Sequence, residues 1–343
     1  MPTLSDITTI LQLPPVSNSA IAITGVNTLT QASATEISFL GSDAYLDDFA
    51  KTRAAAVLVH RKVKLPANPA VPVLIVEDAD LAIGKLLEFF APPVPTPPAG
   101  IDASASVSRD AWVDPTASVG PNVVIGARSR IGAKTVLHAN VFIGEDVSVG
   151  ADCQLFPNVV VRERITIGNR VIIHAGSVLG SDGFGYRWDG EKHAKILQIG
   201  TVIIEDDVEL GSCVCVDRAK FSATRVGRGS KIDNLVQIAH NADIGPHCIM
   251  AGQSGLAGSV TLGAGVVMGG QCAIRDHTMI GPAAMIAACA GVAGNVDAKT
   301  VVSGIPAIPH RQTLREQAAL RRLPDLITQV RKLREELDAL KGK

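Results

Sequence analysis

The sequence is short of aromatic rings. Phe, Tyr and Trp make up 3% of its 343 residues, too few for the ring-rich core of an ordinary mixed domain. It also lacks an excess of positive charge. A formal net charge of −1 excludes the basic footprint of a nucleic-acid-binding chain. No apolar run approaches the ~20 residues needed to span a bilayer, so no transmembrane segment is expected. The N-terminal stretch MPTLSDITTILQLPPVS has no basic start, no long apolar segment and no small-residue cleavage site, and the expected location is the cytoplasm. The six cysteines are then read as reduced thiols, not as a disulfide frame.

What the sequence has instead is a period. From Ile101 to Leu179 every sixth residue is aliphatic: Ile101, Val107, Val113, Val119, Ile125 and onward. The run breaks at SDGFGYRWDGEKHAKILQIG and returns at Ile204, Leu210 and Val216. It then slips by four residues and holds as Val, Ile, Leu or Met from Val226 to Val292. Four residues after each aliphatic position comes a small or branched one, such as Ala105, Ala111, Ala117, Ser129, Thr135 or Cys153. Gly often follows the aliphatic directly, as at Gly120, Gly126, Gly132, Gly144 and Gly150, where backbone freedom is expected to ease a bend. A helix would rotate a six-residue repeat around its surface; a short strand and a bend, repeated, would not. The pattern resembles the hexapeptide-repeat family. That resemblance implies a mainly β fold, a left-handed parallel β-helix in which three repeats close one triangular coil, although crossovers in general favour the right hand. Roughly ten coils would stack about 4.8 Å apart.

The flanks differ from the repeat. PPVPTPP at 92–98 is a stiff extended spacer, so residues 1–98 form a first domain with its linker, 99–305 the β-helix and 306–343 a helical extension. In the first domain SDITTILQL reads as a short helix and AAAVLV and VPVLIV as buried strands. DLAIGKLLEFF reads as a second helix, with Leu81, Leu86, Leu87 and Phe90 near one face. The small N-terminal domain is therefore α/β. After the repeats SGIPAIP breaks the pattern, and Pro324 divides the tail where a second helix can begin. Leu326, Val330, Leu333, Leu337 and Leu340 follow a coiled-coil seam. The tail carries nine Lys or Arg against five acids, which fits either an acidic partner or a solvated helix face.

Cys153, Cys248 and Cys272 fall at the small inward position and read as core filler. Cys213 and Cys215 lack the two-residue gap common in zinc sites. His138 and His174 lie two coils apart with Phe156 between them, an arrangement similar to that of the hexapeptide carbonic anhydrases, which bind zinc through three histidines. A third ligand is missing, so these are expected to be polar surface histidines, and no metal is assigned. His240, in VQIAHNADIGPHCIMAG, differs. One coil on stands Gly258, two coils on Asp276 with His277 beside it, and Asp233 and Asn234 occupy the preceding bend. Spacing alone leaves open whether His240 is a catalytic base or an ordinary corner residue.

The segment ITGVNTLTQASATEISFLGSDAYLDDFAKTRAAAVLV, followed in order by DGFGY, VCVDR, IDNLVQIAHN and SGIPA, resembles the UDP-3-O-acylglucosamine N-acyltransferase family of lipid A biosynthesis over nearly the whole chain. The resemblance implies transfer of a 3-hydroxyacyl chain from acyl carrier protein to the 2-amino group of UDP-3-O-(3-hydroxyacyl)glucosamine. It implies no cofactor beyond the carrier's phosphopantetheine thioester, and a homotrimer with active sites between neighbouring prisms. By position, His240 matches the general base, Gly258 the backbone donor to the oxyanion and His277 a supporting histidine. Phe39 and Tyr45 match the aromatic pair that holds uracil, Asp233 and Asn234 match sugar contacts, and Gln237 lies near the acyl group. A neutral imidazole suits removal of the amine's proton near neutral pH, and a fixed N–H suits the oxyanion. Asp217-Arg218-Ala219-Lys220 stands where DRGA is usual, and DGFGY is followed by an unusual RWDGEKHAK, which puts the local loop contacts in doubt. Phe184, Tyr186 and Trp188 either line an acyl groove or pack the loop on itself. The alternatives are a UDP-GlcNAc O-acyltransferase or an acetyl-CoA-dependent sugar acetyltransferase, neither of which explains residues 1–91, and a non-catalytic β-helix scaffold.

Overall fold

The computed structural model describes residues 1–16, 19–304 and 310–341. They form two compact units, Met1–Pro95 and Thr96–Lys343. In the first, a four-stranded parallel sheet runs in the order β1 (Gly25–Val26), β2 (Glu36–Leu40), β3 (Ala56–His60), β4 (Val73–Val76). Helix α1 (Leu4–Ile10) opens on a capping box in which the Thr3 N–H donates to Asp6 Oδ2 at 2.6 Å and the Asp6 N–H to Thr3 Oγ1 at 3.3 Å. A short helix α2 (Leu46–Phe49) follows β2, and α3 (Ala79–Phe90) packs on the sheet after β4. The inward face of α3 is not the one expected. Ala79, Ala82, Ile83 and Leu86 are buried, Leu81 and Leu87 are exposed and Phe90 is half-buried. Small residues spaced at three and four let the helix lie close to the sheet, and the larger leucines fall off that stripe.

The second unit is the expected triangular parallel β-helix. Its three faces are parallel sheets of nine, eleven and ten two- to five-residue strands. The register advances by one coil at a time: Val124↔Phe142↔Val160 along one face, Val136↔Gln154↔Ile172 along another. From Val119 to Val292 the sixth-residue aliphatics point inward and make one continuous core. The other inward position tolerates small polar groups because the corner carbonyls receive them. Ser129 Oγ donates to Gly144 O, Thr135 Oγ1 to Gly150 O and Ser177 Oγ to Gly211 O, all at 2.7 Å. Cys153, Cys248 and Cys272 fill the same position, and burial pushes the Cys153 and Cys248 thiols up.

The corner glycines have a different cause from the one expected. Gly126, Gly132 and Gly150 do not need positive φ. They need absence of bulk, since a Cβ at Gly126 would stand 2.6 Å from the carbonyl carbon of Gly144 on the next coil, and one at Gly132 2.5 Å from that of Gly150. The left-handed backbone falls two residues later, on Asn122, Arg128, Lys134, Asp146 and Asp152.

His138 also corrects the sequence reading. It is buried, stacked on Phe156 with ring centroids 4.8 Å apart and 7° between planes, and Phe156 stacks in turn on the half-buried His174 at 4.9 Å. The corner column stacks one ring per coil, and that closes His138 off from water. Helix α4 (His310–Lys341) runs unbroken through Pro324, where a division was expected. The proline removes one hydrogen bond, and the exposed helix lets water take the freed carbonyl. Leu326, Val330, Leu333, Leu337 and Leu340 all remain exposed. The expected break at 305–309 lies outside the described residues. No described helix is long and apolar enough to cross a membrane.

Candidate active site

His240 stands at the corner after the strand Gln237–Ile238, which pairs with Cys215–Arg218 on one side and Gly255–Leu256 on the other. The register brings Gly258 against the imidazole, as the one-coil spacing predicts. A Cβ on Gly258 would lie 2.6 Å from His240 Cε1 and 2.7 Å from Nε2. The next contact is through the backbone, with the His277 N–H donating to Gly258 O at 3.0 Å. His277 is exposed and has φ 55°, continuing the column of Asn241 and Ser259 and not that of His240.

Asn241 decides the state of the ring. Its Nδ2 donates to Phe221 O at 3.0 Å, and its Oδ1 accepts from the Lys220 N–H at 3.0 Å, so the amide cannot turn over. That same Oδ1 lies 3.1 Å from His240 Nδ1. Because an amide oxygen only accepts, Nδ1 carries the proton. The free lone pair is then on Nε2, the nitrogen beside Gly258.

Two carboxylates lie nearby. Asp217, on the strand before Gln237, is buried, and its Oδ2 accepts from Gln237 Nε2 at 2.9 Å. Burial pushes its carboxyl up to about 6, against the pull of Gln237 and His240. Asp182, at the start of the loop that interrupts the repeat, pairs with Lys195 at 2.5 Å and with Arg162 at 3.3 Å. The Lys195 hydrogen bond holds it below the usual carboxylate range. Behind them Arg218, 2% exposed, pairs with Glu163 at 2.7 Å and donates from Nε to Gly180 O at 2.8 Å. This salt bridge from a buried arginine to a half-exposed carboxylate anchors the variant Asp217-Arg218-Ala219-Lys220 stretch.

Asp233 and Asn234 are not with His240. They occupy the corner between the eleven- and ten-stranded sheets, whereas His240 lies between the ten- and nine-stranded ones. There they border a cavity of about 510 Å³ with His174, Glu209, Lys231 and Met250. Their side chains are tied to backbone: Asp233 Oδ2 accepts from the Gly252 N–H at 3.0 Å and Asn234 Oδ1 from the Ser212 N–H at 2.7 Å. Phe39 and Tyr45 line a separate cavity of about 510 Å³ in the first unit, with Thr28, Thr30, Asp48 and Asp80. Phe184 and Tyr186 lie 5.1 Å apart and Trp188 meets His193 at 5.4 Å on the hairpin Tyr186–Trp188/His193–Lys195. These rings pack in pairs and stay exposed. Among the described residues no group of three or more His, Cys, Asp or Glu is placed to hold a metal ion.

Sequence reasoning missed Asn241 and Asp217, as well as Gly183, which packs against His240, and Gln198, which packs against Gly183. The first two stand inside the quoted motifs QIAHN and VCVDR, and Gly183 inside DGFGY. Gln198 lies in the aperiodic insertion, where no spacing marks it.

Residues 20–89 match the family model of UDP-3-O-(3-hydroxymyristoyl) glucosamine N-acyltransferase, and residues 140–181 match the bacterial transferase hexapeptide model. UDP-3-O-acylglucosamine N-acyltransferase of Anaeromyxobacter sp. (strain Fw109-5) is 45% identical over 333 residues, covering 95% of this chain and 94% of the relative. The enzyme of that name from Wolinella succinogenes is 42% identical over 312 residues, 91% of this chain and 94% of the relative. Among solved structures, Arabidopsis UDP-N-acetylglucosamine acyltransferase shares the fold at 23% identity, with a TM-score of 0.53 over 60% of this chain and 71% of that one. Identity at this level along almost the full length, with the N-terminal unit matched as well as the repeat, places the chain in the UDP-3-O-acylglucosamine N-acyltransferase family.

Proposed function

We propose that this chain transfers a 3-hydroxyacyl group from an acyl carrier protein thioester to the 2-amino group of UDP-3-O-acylglucosamine, in the cytoplasm. The observation that carries the mechanism is the seating of His240, with Nδ1 held by Asn241 and Nε2 against Gly258. Nε2 takes the proton as the amine attacks the thioester carbonyl. The carbonyl oxygen becomes negative and is met by the Gly258 N–H. Collapse expels the carrier thiolate and leaves an amide. No acyl-enzyme is needed, because the thioester is already activated. Asp217 adds negative charge beside the imidazolium that forms. His277 supports the Gly258 segment to which its N–H is bonded.

Phe39 and Tyr45 hold the uracil in this reading, and Asp233, Asn234 and Gln237 face the sugar and acyl group. Within one chain the sugar corner and the base corner lie on opposite edges of the ten-stranded face. A site that uses both therefore needs a second copy, and three copies close the ring. The basic tail offers a surface for an acidic carrier protein.

The test is the identity of the bond formed. Incubation with 3-hydroxyacyl carrier protein and UDP-3-O-acylglucosamine should give an amide at the 2-amino group. A sugar whose 2-amino group is already acetylated should not be acylated. Ester formation on UDP-N-acetylglucosamine at a comparable rate would instead establish the O-acyltransferase alternative.

A further inference from the structure

The loop that interrupts the six-residue repeat, from Asp182 to Ile199, folds back on the base. Gly183 is buried, and a Cβ there would stand 2.5 Å from His240 Cβ and 2.9 Å from Cδ2. Gly258 meets the same ring at Cε1 and Nε2. The imidazole is thus confined by two glycines, one from the loop and one from the following coil, and neither has room for a side chain. The hypothetical Gly183 Cβ would also lie 2.8 Å from Gln198 Oε1, and a Cβ on Gly185 would lie 2.6 Å from Gln198 Nε2. Gln198 is buried and wedged under both glycines of DGFGY. Its Nε2 donates to Ile196 O at 3.0 Å, whereas its Oε1 is buried with no hydrogen-bond partner among the described residues.

We propose that Gly183 and Gln198 are positioning residues for His240. The loop is a backstop that fixes the ring against Gly258, and the unpaired Gln198 oxygen favours the positive charge the ring gains in the reaction. A buried acceptor without a donor is costly to the fold. A carbonyl dipole beside a nascent imidazolium is an arrangement in which that cost has a catalytic return. Among the described residues, the charged groups on the segments packed near the ring include Asp217 on the adjacent strand, Lys220, whose N–H bonds Asn241, and Asp182 at the loop's start, already paired with Lys195 and Arg162. Gln198 therefore adds a neutral dipole where a further charge would need its own partner.

The experiment compares Gly183→Ala and Gln198→Leu with wild type in steady-state kinetics, pH–rate profile and thermal unfolding. Displacing the base by about an ångström should cost Gly183→Ala on the order of 10²-fold in kcat, with KM for the UDP-sugar unchanged. Gln198→Leu should lower kcat about tenfold and move the acid limb of the profile to lower pH, because the imidazolium loses a favourable carbonyl dipole. Glu191→Ala, at the exposed hairpin turn, should behave as wild type. Retained kcat in both variants would overturn the proposal. So would a kcat loss that only tracks a fall in Tm while the acid limb stays in place. If Gly183→Ala does not fold, Gln198→Leu decides alone. The inference rests on the proposed N-acyl transfer: an inactive wild type refutes that reaction, whereas an active wild type with indifferent variants refutes only the backstop.

Discussion

At the scale of single residues, the proposed site depends on how His240 is held. His240→Ala should lower kcat by on the order of 10²–10⁴, the usual contribution of a positioned general base. His277→Ala should be milder, since that side chain is exposed and its link to the site runs through its backbone N–H. In pH–rate profiles the His277 variant should keep the loss of activity at low pH; a His240 variant with near-normal kcat and that limb intact would remove His240 from the base role. Asp217 makes a separate prediction. Its carboxyl is raised from 3.8 to about 6 by burial, so the folded chain holds the proton longer than the unfolded one. Stability therefore falls as pH rises between those values, by up to about 3 kcal/mol. Asp217→Asn should raise stability by that order at pH 8 and leave it unchanged near pH 3.5, as measured by denaturant unfolding. His240 and Gly258 were legible because a coil length converts directly into contact. Asn241 and Gln198 were not, because their contacts are hydrogen bonds and close packing that a repeat count does not encode.

At the scale of elements, the repeat was legible nearly residue by residue because each inward aliphatic is fixed by the same geometry. Its exceptions were not. Gly126 looks like a flexible hinge in sequence, yet it is a point where two backbones meet. Gly126→Ala should cost about 1–3 kcal/mol through that collision. His138 and His174 are polar and so look like surface residues in the sequence; for His138, stacking on Phe156 overrides polarity. Burial holds the His138 imidazole below its usual range, and its buried Nε2 has no partner among the described residues. The unfolded chain binds a proton as pH falls below 6.5, and the folded chain resists, so this residue makes the fold less stable in acid. His138→Phe should continue the stack and stabilise the fold by about 1 kcal/mol, with the larger gain at pH 5 than at pH 8. Equal or greater loss of stability at pH 5 would show that the nitrogen is satisfied after all. In α3 the inward stripe was misread because two exposed leucines outweighed two buried alanines in a hydrophobicity pattern, whereas close approach to the sheet favours the smaller residue.

At the scale of the whole molecule, the candidate residues divide into a base corner and a sugar corner that one prism cannot bring together. Five seam residues on α4 likewise stay exposed. Both point to assembly, and the division of the site makes assembly testable through chemistry as well as through size. The most direct measurement mixes two defective proteins: His240→Ala, which lacks the base, and the Asp233→Ala/Asn234→Ala double variant, which lacks the sugar corner. After co-refolding or co-expression in equal amounts, random association gives about a quarter of the sites an intact base from one copy and an intact sugar corner from its neighbour. The mixture should therefore recover about a quarter of wild-type amide-forming activity, although each protein alone is nearly inactive. Mixed assemblies that form and yet remain as inactive as their parents would contradict a catalytic site shared between His240 of one copy and Asp233 and Asn234 of another.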